Sequence, residues 1–142
     1  ASRATLIRTK KLADATRHLA PPLMKFGSGR RIAMRDIAVH GDRMTRQQAV
    51  RSFQDLVGCE AAYELLDTRE NMEPLLELPC PVTVAWAAHD RIFPPAEFVP
   101  VARQRLPGAR FVALPGVGHV PMIDDPELCA RTIVETIEDG TG

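Results

Sequence analysis

The fold is decided by residues 79–94, which read PCPVTVAWAAHDRIFP. Pro79 and Pro81 favour an extended backbone, and residues 82–88 are a nearly continuous apolar run. A short run of this kind is typical of a strand that is buried on both faces of a parallel sheet. Asp90 comes directly after the run, at the start of a loop. The stretch therefore predicts a buried strand whose carboxyl end presents Asp90.

Downstream of this loop the pattern continues as helix, strand and helix. Residues 96–106 are predicted to be helical with a kink at Pro100, and residues 109–114 are predicted to form a second strand. Asp125 followed by Pro126 is a typical helix start, because Asp caps free N–H groups and Pro has none. The order predicts a βαβα unit with a right-handed crossover. The apolar face of the last helix is expected at Cys129, Ile133, Val134 and Ile137.

Upstream, residues 1–72 have helical periodicity and no convincing strand. Pro21-Pro22 is expected to break the first apolar pattern, because proline removes a donor and crowds the preceding turn. Residues 27–31, which read GSGRR, predict a flexible turn. This half of the chain is therefore expected to be a small helical unit.

The strongest helix signal in this half begins at Thr45. Thr45 and Gln48 form a predicted capping box, in which each side chain satisfies the other residue's free backbone N–H. An apolar stripe at helical spacing follows and ends at Gly58, a residue typical of helix C-termini. A second short helix is predicted over residues 60–66.

Two titratable residues follow the two predicted strands, Asp90 after the first and His119 after the second. The carboxyl ends of parallel strands meet at one edge of a sheet, so these loops are expected to converge. A carboxylate on one ring nitrogen of a histidine fixes its tautomer, and the other nitrogen then accepts a proton from a nucleophile. Asp90 and His119 are therefore the candidate catalytic residues.

Two motifs carry a family resemblance, WAAHDRIFP at residues 86–94 and LPGVGHVP at residues 114–121. They resemble the acid loop and the histidine loop of the α/β-hydrolase family, in the family's order of acid before histidine. The resemblance covers residues 76–138 and implies an α/β fold. Residues 73–142 would be the C-terminal βαβα part of an α/β-hydrolase parallel sheet, preceded by a helical cap-like or lid-like segment at residues 1–72.

The resemblance also implies a nucleophile on a G-x-S-x-G turn, and no such string occurs in this sequence. Ser28 has glycines directly beside it and follows no apolar strand, so it is not predicted to be the nucleophile. The nucleophile is expected outside this chain, as Ser, Asp or Cys, and the chain alone is expected to be inactive. Esterase, lipase, C–C-bond hydrolase, epoxide hydrolase and dehalogenase activities stay open.

Two further residues border the candidate pair in sequence. Phe93 follows the acid and Met122 follows the histidine loop, and both are predicted to line a pocket for a small apolar or ester substrate. Of the two adjacent carboxylates that come next, Asp125 is explained by helix capping and Asp124 by solvation. A metal site is not predicted, since two neighbouring carboxylates are a poor ligand set, and no cofactor is implied.

Composition excludes several other classes of function. Lys and Arg total 18 and Asp and Glu total 18, so the chain lacks the basic excess of nucleic-acid-binding proteins and of polybasic membrane anchors. The three cysteines form no CxxC pair, which favours a reducing compartment. No apolar run has the length of a membrane span. The expected location is cytoplasmic, without a nucleic-acid or membrane partner.

The rival interpretation is a non-catalytic, hydrolase-derived module for binding or self-assembly. Two parallel strands leave an apolar edge and a poorly covered face, and pairs of strands are marginal when isolated. A chain this short is therefore expected to form a homo-oligomer or a swapped dimer.

Overall fold

The computed structural model describes residues 2–67 and 73–139. Every described element up to residue 67 is helical, and both described strands lie after residue 82. The predicted boundary between residues 72 and 73 borders on residues outside the described part. The helices are α1 (Ser2–Ala15), α2 (Ala20–Leu23), α3 (Gly27–Ala33), α4 (Arg46–Gly58), α5 (Ala62–Asp67), α6 (Pro95–Arg105), α7 (Pro121–Asp124) and α8 (Pro126–Asp139), and the strands are β1 (Thr83–Ala87) and β2 (Arg110–Leu114).

The predicted capping box of α4 is confirmed. The Thr45 hydroxyl accepts a hydrogen bond from the Gln48 backbone N–H at 3.2 Å, and Gln48 Oε1 accepts one from the Thr45 N–H at 2.8 Å. These bonds satisfy two of the donors that a helix start leaves free. α4 then buries Ala49 and Phe53 and ends at Gly58, as the sequence predicts.

Two expectations for the first half are wrong. Pro21 and Pro22 lie at the start of α2, where a missing N–H breaks no helical hydrogen bond. Residues 27–31, predicted as a flexible turn, belong to α3. Phe26 caps that helix in an extended conformation, and its carbonyl accepts the Arg30 N–H at 3.1 Å. None of the residues of α3 is buried, and Gly29 lies so close to the Leu23 carbonyl that a Cβ would clash there, so this glycine permits the close approach of α2 and α3.

The helical half has its own core, in which methionines are prominent. Unbranched methionine has a flexible side chain that fills irregular gaps in a core. Ile123 of α7 packs against this core and so joins the helical half to the second half of the chain. The buried members are Ala13, Met24, Met34, Met44, Ala49 and Phe53.

β1 and β2 pair in parallel, from Thr83 opposite Arg110 to Ala87 opposite Leu114. α6 connects them, so the predicted strand, helix, strand and helix order is confirmed, and Pro100 lies inside α6. The fold is α/β with a two-stranded parallel sheet, consistent with part of an α/β-hydrolase sheet. A small core of Ala87, Leu114 and Val117, with Leu128 of α8, closes the carboxyl end of the sheet.

Burial of the strands on both faces, which the sequence predicted, is wrong for this chain. Of the residues in β1 only Ala87 is buried, Trp86 is half-buried and Ala85 is exposed. The apolar face of α8 is open in the same way, apart from Cys129. A pair of strands with few covering helices leaves both faces and outer edges accessible. The exposed apolar residues of α8 are Ile133, Val134 and Ile137.

Within residues 2–67 and 73–139, no helix combines the length and the apolar character needed to cross a membrane.

Candidate active site

The two loops predicted to converge lie side by side at the carboxyl end of the sheet. The Ala88 N–H donates to the Leu114 carbonyl at 2.9 Å, and the His89 N–H donates to the Val117 carbonyl at 3.0 Å. These bonds extend the strand pairing beyond the ends of β1 and β2. The residues that follow each strand are therefore held next to each other, as expected for neighbouring parallel strands.

The two loops bring Asp90 to His119. Nδ1 of the imidazole lies 2.9 Å from Oδ2 of the carboxylate, across 29 residues of sequence. The Asp90 side chain is 7% exposed and the His119 side chain is 31% exposed. An ionised carboxylate only accepts hydrogen bonds, so a neutral imidazole that donates to it has its proton on Nδ1 and its lone pair on Nε2. The carboxylate of the pair is thus buried, and the imidazole is partly accessible.

The second carboxylate oxygen of Asp90 is bound within its own loop. Oδ1 accepts the backbone N–H groups of Ile92 and Phe93, each at 2.8 Å. An Asp side chain that accepts N–H groups two and three residues ahead stabilises a tight turn. Trp86 contributes from β1, since its indole N–H donates to the Phe93 carbonyl at 3.0 Å. The loop therefore fixes the carboxylate so that only Oδ2 faces the histidine.

The histidine loop contains a glycine that its backbone requires. Gly116 has a φ of 72°, in the left-handed region that side chains other than glycine rarely adopt. This residue turns the chain after Leu114, and Val117 then enters the small core at the carboxyl end of the sheet. His119 is thereby directed back toward the acid loop.

Asp124 is buried, and its predicted solvation is wrong. The residue is 1% exposed, and Oδ2 accepts the N–H groups of Gly118 at 2.7 Å and Val39 at 3.0 Å. Oδ1 accepts the His40 N–H at 2.6 Å, and the Arg43 guanidinium donates to the Asp124 backbone carbonyl. The helical half folds back over this carboxylate, a contact that no local sequence pattern indicates.

Asp125, in contrast, has the capping role that the sequence predicts. Its Oδ1 accepts the Leu128 N–H at 2.8 Å, at the start of α8. The two adjacent aspartates therefore have different structural roles. Asp125 stabilises the start of α8, and Asp124 connects the histidine loop to the helical half. Within the described part of the chain, no three His, Cys, Asp or Glu side chains are grouped closely enough to hold a metal ion.

The two predicted pocket residues occupy different places. The Phe93 ring packs beside the His119 ring, with centroids 5.5 Å apart, and also contacts the Phe98 ring edge-on at 5.3 Å. Met122 is exposed and lines a groove of about 620 Å³ between α4 and α7, together with Arg43 and Ser52. The substrate-binding role of each residue stays a prediction.

Sequence reasoning missed a cleft that opens beside Asp90. It has a volume of about 400 Å³ and lies between the helical half and the acid loop. Its arginine side chains come from two segments that are far apart in the sequence, so no local motif predicts the cleft. The walls are formed by Arg31, Arg35, Ala38, Val39, His89, Asp90 and Arg91.

Ser28 lies in a setting unlike that of a nucleophile on a strand-to-helix turn. It is the second residue of α3, it is exposed, and an extended Phe26 precedes the helix, with no strand among residues 2–26. The described residues thus provide an acid and a histidine in contact, while the G-x-S-x-G string is absent from the sequence.

The sequence is similar to known proteins over most of its length. The sequence matches the Alpha/beta hydrolase family over residues 4–132. It is 31% identical over 120 residues to the epoxide hydrolase EphH of Mycobacterium tuberculosis, covering 82% of this chain and 56% of that protein. The chain thus spans little more than half the length of this curated relative. No solved structure gives a significant match. The family match extends over most of the chain and includes both loops, and the chain therefore belongs to the alpha/beta hydrolase family.

Proposed function

We propose that this chain supplies the acid and the histidine of a hydrolase that cleaves an ester or related bond by nucleophilic catalysis. The observation that carries the proposal is the 2.9 Å contact between Asp90 Oδ2 and His119 Nδ1. Its support is threefold: the carboxylate is buried, its other oxygen is occupied by backbone N–H groups, and the imidazole remains accessible.

The roles of the two residues follow from this geometry. Asp90 orients the ring and keeps the proton on Nδ1, so that Nε2 is available as a general base. Nε2 of His119 takes a proton from the nucleophile or from the attacking water, and then returns it to the leaving group as a general acid. The buried carboxylate stabilises the imidazolium that forms between these two steps.

The nucleophile, in this proposal, lies outside the present sequence. Two observations support it: the G-x-S-x-G string is absent, and the chain spans 56% of its curated relative. The 142 residues alone are then expected to be inactive, because the string that carries the nucleophile and one of the oxyanion-binding N–H groups is absent from the sequence.

An epoxide is the second candidate substrate, and the name of the relative EphH favours it. In this variant a carboxylate nucleophile attacks an epoxide carbon, the C–O bond of the ring breaks with its electron pair on the oxygen, and that oxygen takes a proton from solvent, which leaves an ester to the enzyme. His119 then removes a proton from water, whose oxygen attacks the ester carbonyl, and the imidazolium returns this proton to the departing alkoxide. The diol is released, and the carboxylic acid of the enzyme loses a proton to solvent and is ready to react again. In both reactions Asp90 orients the imidazole and His119 is the general base.

The test is expression of this chain together with its upstream coding sequence. A fluorophosphonate adduct on the longer protein, seen by intact mass and absent from the 142-residue chain, is expected for a serine nucleophile. If no adduct forms, single-turnover epoxide hydrolysis in H₂¹⁸O is expected to add one heavy oxygen to an upstream carboxylate. Failure of both, with intact folding, contradicts the proposal.

Two substitutions sharpen this test. His119→Ala is expected to abolish turnover in the longer protein, since it removes the general base. His18→Ala is the matched control, because His18 is exposed near the end of α1 and contacts only its neighbour Arg17 among the hydrogen bonds described. Equal activity of the two variants would remove His119 from the mechanism.

A non-catalytic assembly module is the alternative, and the open apolar face of α8 favours it. Under this alternative the isolated chain covers its exposed strands and α8 with a second copy, as a homo-oligomer or swapped dimer. Light scattering would then report an oligomer whose cooperative melting depends on protein concentration. A cooperatively melting monomer excludes it.

A further inference from the structure

The buried carboxylate of Asp124 connects two parts of the chain that are far apart in sequence. One partner is the N–H of Gly118, the residue directly before His119. The others are the N–H groups of Val39 and His40, 85 and 84 residues away. One side chain thus contacts the histidine loop and the helical half at the same time.

Neighbouring contacts make this a close junction. The Val120 N–H donates to the Ile37 carbonyl at 2.8 Å, so the residue after His119 is also bound to the helical half. A Cβ at position 118 would lie 3.0 Å from the Ala38 Cα and 3.1 Å from the Ile37 carbonyl oxygen. The two backbones therefore approach as near as glycine at residue 118 permits.

The chemistry of the junction requires a carboxylate. Three backbone N–H groups converge on two oxygens, and each would be left unsatisfied in a buried place if its acceptor were lost. An uncharged amide offers one oxygen and turns two donors of its own toward these N–H groups. The Arg43 guanidinium, bound to the Asp124 carbonyl, provides positive charge nearby.

We propose that Asp124 is a positioning residue, whose carboxylate fixes the backbone on both sides of His119 and ties the placement of the imidazole to the segment at residues 37–40. Asp90 orients the imidazole ring through Nδ1, and Asp124 fixes the position of the backbone from which the His119 side chain extends. The catalytic meaning of this placement rests on the proposed function above, whereas the placement itself does not.

The experiment compares Asp124→Asn with Asp125→Asn in the whole chain. Asp125→Asn is a matched control, because the two residues are adjacent, the charge change is identical, and asparagine caps helices about as well as aspartate. The first readout is the NMR resonance of the His119 Nδ1 proton, which is expected far downfield because this proton would lie in the hydrogen bond to Asp90. It is expected to persist in the control and to broaden or move upfield in Asp124→Asn.

The second readout is amide hydrogen exchange. In Asp124→Asn, the amides of Gly118, Val39 and His40 are expected to exchange together and about tenfold faster or more, while the Ala88 amide between the strands keeps its protection. A variant in which these amides exchange faster and the His119 resonance is unchanged overturns the proposal. In that case the carboxylate only holds two segments together.

Turnover of the longer protein separates this inference from the proposed function. Asp124→Asn is expected to lower kcat by about 10-fold to 100-fold with little change in KM, since a misplacement of about 1 Å at a catalytic group has effects of this size. A chain that shows the NMR response but never gains activity keeps the positioning role and loses the hydrolase proposal. Unchanged kcat in an active enzyme overturns the positioning role.

Gly118→Ala is the second variant, in case Asp124→Asn does not fold. It keeps the carboxylate and pushes the histidine loop away from Ala38 by a few tenths of an ångström. The same change in the His119 resonance is expected, with a smaller fall in kcat. A His119 resonance identical to that of the unmodified chain contradicts the proposal.

Discussion

Nδ1 of His119 lies 2.9 Å from Oδ2 of Asp90, while Oδ1 of the same carboxylate accepts two N–H groups of its own loop. The two oxygens therefore have separate tasks. This division determines the effect of replacing Asp90 by asparagine. The amide oxygen is expected to take the place of Oδ1, which accepts the two N–H groups, and the NH₂ group then takes the place of Oδ2, next to His119.

The first prediction concerns Asp90→Asn. Asparagine is expected to leave its oxygen on the Ile92 and Phe93 N–H groups, which turns its NH₂ toward His119 and forces the lone pair onto Nδ1. Nε2 then carries the proton and no longer acts as a base, so kcat of the longer protein is expected to fall about 10⁴-fold. Steady-state kinetics measure the loss. Asp67→Asn, on an exposed residue that pairs with Arg3, is the control, and a similar loss there would contradict the assignment.

The second prediction compares two glycines. Gly116→Ala places a Cβ on a backbone with a φ of 72° in otherwise open space, so only the strain of the left-handed conformation counts. The free energy of unfolding is expected to fall by about 1–2 kcal/mol. Gly58→Ala also meets open space, at the end of α4, and is expected to raise it by less than about 1 kcal/mol. Denaturant titration measures both, and changes of the same sign would contradict the prediction.

The third prediction concerns the thiols. Burial, with a smaller effect of the Asp125 charge, raises the pKa of Cys129 above its ordinary value, whereas Cys80 is exposed. A thiol-reactive probe at mildly alkaline pH is expected to modify Cys80 first and Cys129 only after unfolding, as intact mass and peptide mapping would show. Equal labelling of both cysteines in the folded chain would contradict this.

The raised pKa of Cys129 also predicts how the stability of the fold changes with pH. Because the folded pKa of Cys129 is the higher one, the unfolded chain ionises first as pH rises. The contribution of this thiol to stability is complete below its ordinary pKa and is lost as pH rises through the raised value. Cys129→Ala is expected to flatten the alkaline limb of a plot of unfolding free energy against pH, relative to the unmodified chain.

The fourth prediction tests the capping box. Thr45→Ala removes the acceptor for the Gln48 N–H at the start of α4 and is expected to lower the free energy of unfolding by about 1 kcal/mol. Thr136→Ala is the control, since its hydroxyl bonds only to the carbonyl one turn back within α8 and alanine favours the helix. A larger loss in the control than at Thr45 would contradict the role of the box.

The sequence was sufficient to predict the Asp90–His119 contact, because topology alone brings the carboxyl ends of adjacent parallel strands together. It was also sufficient for the caps at Thr45 and Asp125, whose partners lie three residues away. The buried Asp124 could not be predicted. Its partners are backbone N–H groups in the helical half, and any residue type at positions 39 and 40 other than proline supplies them.

The misjudged prolines and glycines show a related limit. The sequence Pro21-Pro22 does not distinguish the end of one helix from the beginning of the next, because proline disrupts the interior of a helix and is tolerated in its first turn. In the structure the pair begins α2, and Met24, just beyond it, is fully buried in the core of the helical half. Burial of β1 was overestimated for a different reason: an apolar run indicates what a strand can bury, whereas its neighbours determine what it does bury.

The hydrogen bond from Trp86 to the Phe93 carbonyl has a practical consequence. Trp86 is the single tryptophan of the chain, so its fluorescence arises from one place, at the base of the loop that holds Asp90. Indole emission moves to longer wavelength as the ring gains water. Binding of a small molecule near Phe93, or opening of the acid loop, is therefore expected to change an intrinsic optical signal, without a label and on the millisecond scale of a stopped-flow instrument.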